Sequence, residues 1–428
     1  MTMPASSTPI AADAASAAAS AASFASGWSL DALRAADPVL GIALLMLLAV
    51  VLAEALHRAF RLPRACGHML VGALASPLVL RLIDRVELDP WKPLIDLAIG
   101  ALLFELGTRI RPRWLVDNPA LAASCVLQAL LAGIAVAAGL MALDAPAQAA
   151  AVAGAVAMST SPVIVLAVTH ETRSRGQVTE RLFLMTAVNS VIAVVALKVL
   201  RVVMAVDPAA GDELGRAVAS ALRVISGSFL LGLACGFALD RLSTLVRNTP
   251  AMPVLQIALV IIASMLAAQW TLSPLLALLI AGVTARARMR HGLTVEPHLG
   301  SAGAVLNVML FISVGLLFTL DHAWALWPWA LAIVLGRLLA SGLAVGALAR
   351  LSGLGWKQAA GLVLALQPMS SLTVLLAAST FGWSSQLPGV DEKVVHALLI
   401  ATTLMQLTGP IWTQLSLRHL AAESNEAR

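Results

Sequence analysis

Long apolar stretches, separated by short polar loops, run through almost the whole chain. A helix that crosses a bilayer needs roughly 17–25 mostly apolar residues, and thirteen stretches approach or reach that length. They lie near residues 39–56, 67–82, 93–108, 120–143, 147–169, 182–204, 217–239, 251–269, 272–285, 301–319, 324–348, 357–381 and 394–415. This pattern predicts an all-α polytopic membrane protein with about 13 transmembrane helices.

The composition supports a location in the membrane. Of the 428 residues, 60% are hydrophobic and only 12% are charged, and the mean hydropathy is +0.90. A soluble domain has roughly 25% charged residues, which excludes a soluble enzyme and a charge-rich disordered or nucleic-acid-binding chain. The three cysteines, Cys66, Cys125 and Cys235, follow no metal-ligand spacing. No cluster of nucleophile and base is visible, so we predict no catalysis, no metal and no cofactor.

Arginine and lysine are distributed unevenly between alternate loops. If the N-terminus lies outside, 18 of the 28 Lys and Arg residues fall on the cytoplasmic side and 8 fall outside. Because cytoplasmic loops carry the positive excess, we expect a multi-pass protein of the cell inner membrane, with its N-terminus outside and its C-terminus in the cytoplasm. A disordered Ala/Ser-rich tail is expected at 1–36, a transmembrane domain at 37–416 and a short cytoplasmic tail at 417–428.

Two of the predicted helices carry a proline among small polar residues near their middle. The fifth reads Ser-Thr-Ser-Pro at 159–162, and the twelfth reads Gln-Pro-Met-Ser-Ser at 367–371. Each proline alone is consistent with a simple kink, since proline removes a backbone donor. The two prolines together indicate more than a kink. The helices that carry them differ by seven in order, which is an odd number, so they cross the membrane in opposite directions. This is typical of inverted repeats with two discontinuous helices that cross at the midplane, where transporters bind substrate.

Three charged residues within the apolar stretches are informative. Arg337 lies at the centre of the eleventh stretch, where an arginine costs roughly 2.5–3.5 kcal/mol on insertion scales. It is expected either to be tied to backbone carbonyl groups or to act at an ion site. Glu54 and Glu105 lie about one turn from the cytoplasmic ends of the first and third stretches, close to arginines. They are expected either to form interfacial salt bridges or to line a proton pathway.

Several local motifs resemble those of the monovalent cation:proton antiporter superfamily, in its bacterial sodium/proton exchanger and potassium-efflux branch. The motifs lie at residues 61–72, 100–107, 159–162 and 310–315, and the resemblance covers about residues 39–415. Each motif is short, and it is their order and spacing that make the resemblance specific.

The resemblance implies that the transmembrane domain has two parts. Helices at about 120–204 and 324–415 would form a mobile core, and the remaining helices would form a scaffold that joins two copies in a homodimer. The core would move against the scaffold like an elevator and exchange a monovalent cation, Na⁺ or K⁺, for protons across the lipid bilayer. The basic residue of the family's eleventh helix falls on Arg337, which would balance charge.

The middle of the sixth helix departs from the family pattern. The family has an aspartate as the second residue of a pair there, whereas this chain has Asn189 and Ser190. Serine offers a neutral oxygen but has no proton to exchange near neutral pH, so we expect an atypical ion site without the usual carboxylate. Glu105 and Glu54 are then the candidate proton pathway. The resemblance places the oxygen ligands of the cation on Thr160, Ser161, Asn189, Ser190 and Gln367.

Two other functions remain open. An anion transporter would use the electropositive core around Arg337, because the N-termini of half-helices favour anions. A transport-inactive relative would serve as a sensor or a partner subunit, and would keep Asn189 and Ser190 as a relic.

Overall fold

The computed structural model describes residues 38–76, 92–205, 213–246, 249, 251–288, 300–316, 323–371, 373–374 and 392–423. The predicted tail at 1–36, the end of the tail at 417–428, and parts of the predicted stretches at 67–82 and 357–381 lie outside these residues. Within the described ranges the regular elements are all helices. They are α1 (Pro38–Phe60), α2 (Arg64–Ala75), α3 (Lys92–Arg109), α4 (Pro112–Asp117), α5 (Pro119–Met141), α6 (Ala147–Ala157), α7 (Pro162–Glu171), α8 (Gln177–Ala205), α9 (Glu213–Ser243), α10 (Met252–Gln269), α11 (Pro274–Arg288), α12 (Gly300–Leu316), α13 (Ala323–Leu348), α14 (Trp356–Ala365) and α15 (Glu392–Leu415), which continues into a π-helical turn at Ser416–Leu420.

Eight segments of the described chain are long and apolar enough to cross a bilayer, with α6 and α7 together forming one of them. Their outward faces carry apolar side chains at helical spacing. On α13, for example, Leu335, Leu339 and Leu343 are 44%, 65% and 69% exposed. Exposed apolar stripes of this kind face lipid rather than water, and the chain is a multi-span membrane protein. Each of the thirteen predicted stretches overlaps a described helix, although thirteen crossings stay a prediction.

The helices pack around several apolar clusters. One cluster is formed by side chains of α5, α6, α8, α13 and α15, and includes Val136, Ile333 and Ala401. A second is formed by α3, α9, α10 and α11, and a third by α1, α2 and α12. A fourth and larger cluster runs between these groups and includes most of α7. The position of α7 between the groups matters for the site described below.

Two pairs of glycines let helices approach closely. A Cβ atom added to Gly315 on α12 would lie 2.9 Å from the Cα atom of Gly72 on α2, and one added to Gly107 on α3 would lie 2.9 Å from that of Gly282 on α11. Small residues of this kind are typical of helix contacts in membranes. In the predicted order of helices, one contact joins helix 2 to helix 10 and the other joins helix 9 to helix 3. With an offset of seven helices between the two repeats, helix 2 corresponds to helix 9 and helix 3 corresponds to helix 10. The two contacts are then equivalent, as inverted repeats require.

The last described residues return to the start of α8. The Glu423 carboxylate accepts hydrogen bonds from the backbone N–H groups of Val178 and Thr179, at 2.7 and 2.8 Å, and from the Thr179 hydroxyl at 2.8 Å. The first N–H groups of a helix have no partner within the helix, and the helix dipole favours a negative charge there. Glu423 therefore caps the helix that carries Asn189.

Candidate functional site

The first break in the helices lies between α6 and α7. Helix α6 ends at Ala157, and α7 begins at Pro162. Proline is suited to the first position of a helix, because its missing N–H would have no helical partner there. Ser161 is the N-cap, and its side-chain oxygen accepts from the backbone N–H of Ile164 at 3.5 Å. The sequence at this proline thus ends one helix and starts another, rather than only bending a continuous one.

The second break follows the end of α14 at Ala365 and contacts the first break directly. The backbone N–H of Ser161 donates to the carbonyl of Pro368 at 2.7 Å, and the hydroxyl of Thr160 donates to the carbonyl of Leu366 at 3.2 Å. All of these residues are buried. The two breaks predicted from sequence therefore meet in the interior of the protein, and we call the meeting point the crossing.

Arg337 holds the crossing together from α13. Its side chain is fully buried, and its two terminal nitrogens donate to four backbone carbonyls. The acceptors are Ala157, Ser159 (2.9 Å), Leu366 (3.0 Å) and Gln367 (3.2 Å). These carbonyls lie at the C-terminal ends of α6 and α14, which have unpaired acceptors and a partial negative charge. The guanidinium therefore contacts two half-helix ends at once, and backbone carbonyl partners were one of the two environments expected for Arg337.

Asn189 reaches the crossing from α8. Its side-chain nitrogen donates to the Thr160 hydroxyl at 3.1 Å and to Gln128 Oε1 at 2.7 Å. Its carbonyl oxygen Oδ1 is buried and has no hydrogen-bond partner. Ser190, the next residue, turns away, because its hydroxyl donates to the carbonyl of Thr186 on its own helix at 2.8 Å.

The side chain of Gln367 lies back along α14. Its nitrogen donates to the carbonyl of Val363 at 2.7 Å, and its oxygen Oε1 is buried without a partner. The backbone of Gln367, by contrast, lies at the crossing. The structure thus brings Thr160, Ser161, Asn189 and Arg337 into one connected set of contacts. The Ser190 side chain instead bonds within its own helix, and the Gln367 side chain bonds back to α14.

Two contributors to this set were not anticipated from sequence. Gln128 on α5 and Ser341 on α13 are both fully buried, and Gln128 Nε2 lies 3.0 Å from the Ser341 hydroxyl. Gln128 is the one amide side chain in a helix whose other residues are apolar or small. That isolation is a signal that sequence reasoning could have used, because a polar side chain inside a membrane needs a partner.

Glu105 lies away from the crossing, at the other end of α7. That helix has ten residues, so its ends are roughly 14 Å apart. Glu105 on α3 is buried and contacts His170 at 2.7 Å and Arg109 at 3.1 Å. The expected salt bridge to an arginine is present, and the histidine partner was not foreseen.

Glu54 belongs to a neighbouring cluster of charges. It pairs with Arg58 at 2.7 Å and with Arg64 at 3.0 Å. Arg64 also pairs at 3.1 Å with Glu171, the last residue of α7, and His57 lies 3.2 Å from the same carboxylate. His170 and Glu171 thus tie the end of α7 to α3 on one side and to α1 and α2 on the other. Among the described residues no three His, Cys, Asp or Glu side chains are grouped so as to hold a metal ion.

Comparisons with known proteins agree with this architecture. Two solved structures of MjNhaP1, a sodium proton antiporter from Methanocaldococcus jannaschii, share the fold. The structure at pH 8 has a TM-score of 0.67 and 16% identity, covering 90% of this chain and 99% of MjNhaP1. The electron-microscopy structure has a TM-score of 0.68 and 15% identity, covering 91% and 100%.

A search of curated protein sequences found no significant match. The model of the transmembrane sodium/hydrogen exchanger family, however, matches residues 43–418, which is most of the chain. The resemblance seen in the motifs is thereby confirmed, and the matched family is one of transporters. With the fold and the family model in agreement, this chain belongs to the sodium/hydrogen exchanger family, within the monovalent cation:proton antiporter superfamily.

Proposed function

We propose that this chain is a secondary active transporter that exchanges a monovalent cation, Na⁺ or K⁺, for protons across the cell inner membrane. The observation that carries the proposal is the crossing, where two helix breaks meet at Ser161 and Pro368 beside a buried arginine. Discontinuous helices that meet in this way bind the substrates of many secondary transporters. Family membership and the fold shared with a sodium proton antiporter support exchange of a cation for protons.

The proposed ion site is built from neutral oxygen atoms. Asn189 Oδ1 and Gln367 Oε1 are buried acceptors without a donor, and such oxygens can replace part of a cation's hydration shell, as carbonyl groups do in channels. The hydroxyl groups of Thr160, Ser161 and Ser190 are the further candidate ligands. No carboxylate of the described residues contacts these groups, so we expect weaker cation binding than an aspartate would give.

The proton is proposed to pass through the charged cluster at the far end of α7. Glu105 on α3 and His170 on α7 bring an acid and a base together at 2.7 Å. Glu54 would be the more accessible step, because its side chain is 37% exposed. Neither carboxylate belongs to the set of contacts at the crossing, so cation and proton would not compete for one group. We therefore expect the exchange to depend only weakly on pH.

The transport step is proposed to be an elevator movement. The mobile core would comprise α5–α8 and α13–α15, and the scaffold would comprise α1–α3 and α9–α12, which would also join two copies in a homodimer. The apolar cluster shared by five of the proposed core helices, α5, α6, α8, α13 and α15, supports this division. The ion pairs at the end of α7 join it to α1, α2 and α3, and these are the contacts that would be exchanged during sliding.

Anion transport is the second candidate, because the Nε–H of Arg337 has no hydrogen-bond partner among the described residues. A guanidinium has five N–H donors, and the backbone carbonyls take four of them. One free N–H donor would bind an anion less strongly than a guanidinium with all five donors free.

Transport by the purified full-length chain in liposomes tests the proposal. A pH-sensitive dye inside the vesicles reports proton movement when NaCl, KCl or choline chloride is added outside. We expect a pH change with Na⁺ or K⁺ and none with choline. A second series keeps choline as the cation and varies the anion. Proton movement that follows only the anion would establish the anion transporter, and no movement in either series would favour the transport-inactive relative.

A further inference from the structure

A chain of hydrogen bonds runs through the interior and includes Asn189. It begins at Ser341 on α13, passes through Gln128 on α5 and Asn189 on α8, and reaches Thr160 in the first break. It ends on the carbonyl of Leu366 in the second break. The distances along the chain are 3.0, 2.7, 3.1 and 3.2 Å, and the four side chains are fully buried. Side chains thereby link three core helices to the first break, and the second break joins the chain through a backbone carbonyl.

The direction of the chain is fixed at its last member. A backbone carbonyl can only accept, so the single hydroxyl proton of Thr160 is used on Leu366. Thr160 must then accept from its other neighbour, which requires the nitrogen of the Asn189 amide to face it. The second hydrogen of that nitrogen is donated to Gln128 Oε1, and Gln128 is left with its own nitrogen toward Ser341. Each amide in the chain therefore has one orientation.

This orientation leaves the carbonyl oxygen of Asn189 without a donor. Both hydrogens of its amide are held by acceptors, and Oδ1 is buried and unpartnered. Buried polar atoms are nearly always paired, so an unpaired acceptor needs an explanation. An oxygen held in place and kept free of donors is what a dehydrated cation requires as a ligand.

We infer that Gln128 is a positioning residue, which holds the Asn189 amide so that its carbonyl oxygen is presented to the transported cation. The inference rests on the proposed function and deepens it. Gln128 itself need not touch the ion. If its acceptor oxygen were removed, one N–H of Asn189 would lose its partner, and the amide could rotate and present a donor where the cation needs an acceptor.

Substitutions at Gln128 separate this role from simple packing. Gln128→Leu removes the acceptor, whereas Gln128→Glu keeps an oxygen that can accept from Asn189. We expect Gln128→Leu to raise the apparent KM for the cation about tenfold, the equivalent of roughly 1.4 kcal/mol of binding, while the maximal rate stays within about twofold. Gln128→Glu should keep the KM near that of the natural protein. A purely structural role predicts the reverse order, because leucine suits an apolar interior and glutamate does not.

The matched control is Gln256→Leu, which makes the same change at a buried glutamine on α10, in the proposed scaffold. It should leave the KM unchanged. If Gln128→Leu does not fold, Gln128→Met carries the same comparison with an unbranched side chain. The inference is overturned if the apolar variant binds the cation like the natural protein, or if Gln128→Glu is the worse of the two.

A second measurement distinguishes failure of the inference from failure of the proposed function. A cation that binds the folded state raises the Tm of the purified protein, so NaCl and KCl titrations report binding without transport. If the cation raises the Tm of the natural protein but not that of Gln128→Leu, and the natural protein moves no protons, the inference is upheld and exchange is rejected. Exchange in liposomes that is indifferent to Gln128 would reject the inference alone. A natural protein with neither stabilisation nor exchange would reject both.

Discussion

Arg337 shows how a single charged side chain can be accommodated inside a membrane protein. No acidic residue is needed, since four carbonyls at the ends of two half-helices supply the compensating negative charge. The same contacts fix the ends of α6 and α14 relative to each other. One residue thus joins the ends of two half-helices, and we propose that it also balances their partial negative charge.

Replacing Arg337 by alanine is expected to destabilise the protein by about 3–5 kcal/mol, because it leaves several buried carbonyls unpaired. Arg337→Lys should retain part of the stability, since lysine keeps the charge with fewer donors. The Tm in detergent and the exchange rate in liposomes measure both effects. Arg350→Ala, at an exposed arginine just beyond α13, should change neither. A normal Tm and normal exchange in Arg337→Ala would show that the four carbonyl contacts are dispensable.

Ser190→Asp is expected to restore a carboxylate to the ion site. An aspartate cannot donate to the Thr186 carbonyl as the serine does, so its side chain would turn toward Asn189 and the crossing. Proton and cation would then compete for one group. The apparent cation affinity should rise about tenfold per pH unit while protons occupy the carboxylate, as measured by exchange at several pH values.

The neutral variant Ser190→Asn is the control for Ser190→Asp, and it should keep the weak pH dependence expected of the natural protein. Steep pH dependence in the natural protein, unchanged by Ser190→Asp, would show that the ion site lies elsewhere. If the natural protein shows no exchange and Ser190→Asp does, the natural protein would be a transport-inactive relative.

At the scale of elements, α7 connects the two ends of the proposed mechanism. Its N-cap residue, Ser161, lies at the crossing, and its last two residues contact α1, α2 and α3. A movement of α7 that alters access to the crossing would also change the contacts of His170 and Glu171. The helix is therefore the element in which cation binding and proton transfer can be coupled.

Cross-linking tests whether α7 moves against α2. In a background without the native cysteines, Arg64→Cys with Glu171→Cys places two thiols where the natural side chains meet at 3.1 Å. A short bifunctional thiol reagent should stop exchange, and reduction of a cleavable linker should restore it. The matched pair Asp240→Cys with Arg288→Cys, whose natural side chains also meet at 3.1 Å, joins two scaffold helices and should leave exchange unchanged. Full activity of a completely cross-linked α2–α7 pair would exclude the elevator movement.

The glycine contacts give a prediction about helix packing. Gly107→Ala would place a Cβ atom against the backbone of α11, which should cost about 1–3 kcal/mol or more through overpacking. Gly346→Ala on α13 has open space around it, and it should keep or slightly raise the Tm, because alanine favours helix by about 0.5–1 kcal/mol. Equal melting temperatures of the two variants would argue against the close approach of α3 and α11.

For the whole molecule, the arginine asymmetry predicts the topology. A cysteine placed at position 20 should react with an impermeant thiol reagent added from the periplasmic side, and one placed at position 425 should react only after the membrane is permeabilised. The reason is the excess of positive charge in the loops assigned to the cytoplasm. Equal labelling of both positions in intact cells would reject the assignment.

Sequence reasoning found the features that depend on one helix at a time. Pro162, Pro368 and Arg337 stand out because each is unusual within an apolar stretch, and the structure brings all three helices together. The contributions of Gln128 and His170 could not be assigned in that way. Their partners lie 61 or more residues away in the chain, so their roles depend on packing that no local pattern encodes. The same holds for Glu423, which caps a helix that begins far earlier in the chain.

The two equivalent glycine contacts between helices also bear on how such a chain could have evolved. In an interface between two identical subunits related by a two-fold axis, each contact between two different residues occurs twice, with the roles reversed. Gly72 with Gly315 and Gly282 with Gly107 form such a reciprocal pair in the predicted order of helices, because an offset of seven helices converts one contact into the other. A gene of half the length, whose product inserted into the membrane in both orientations, would have made these contacts between separate subunits. Fusion of two copies would then have preserved the interface inside a single polypeptide.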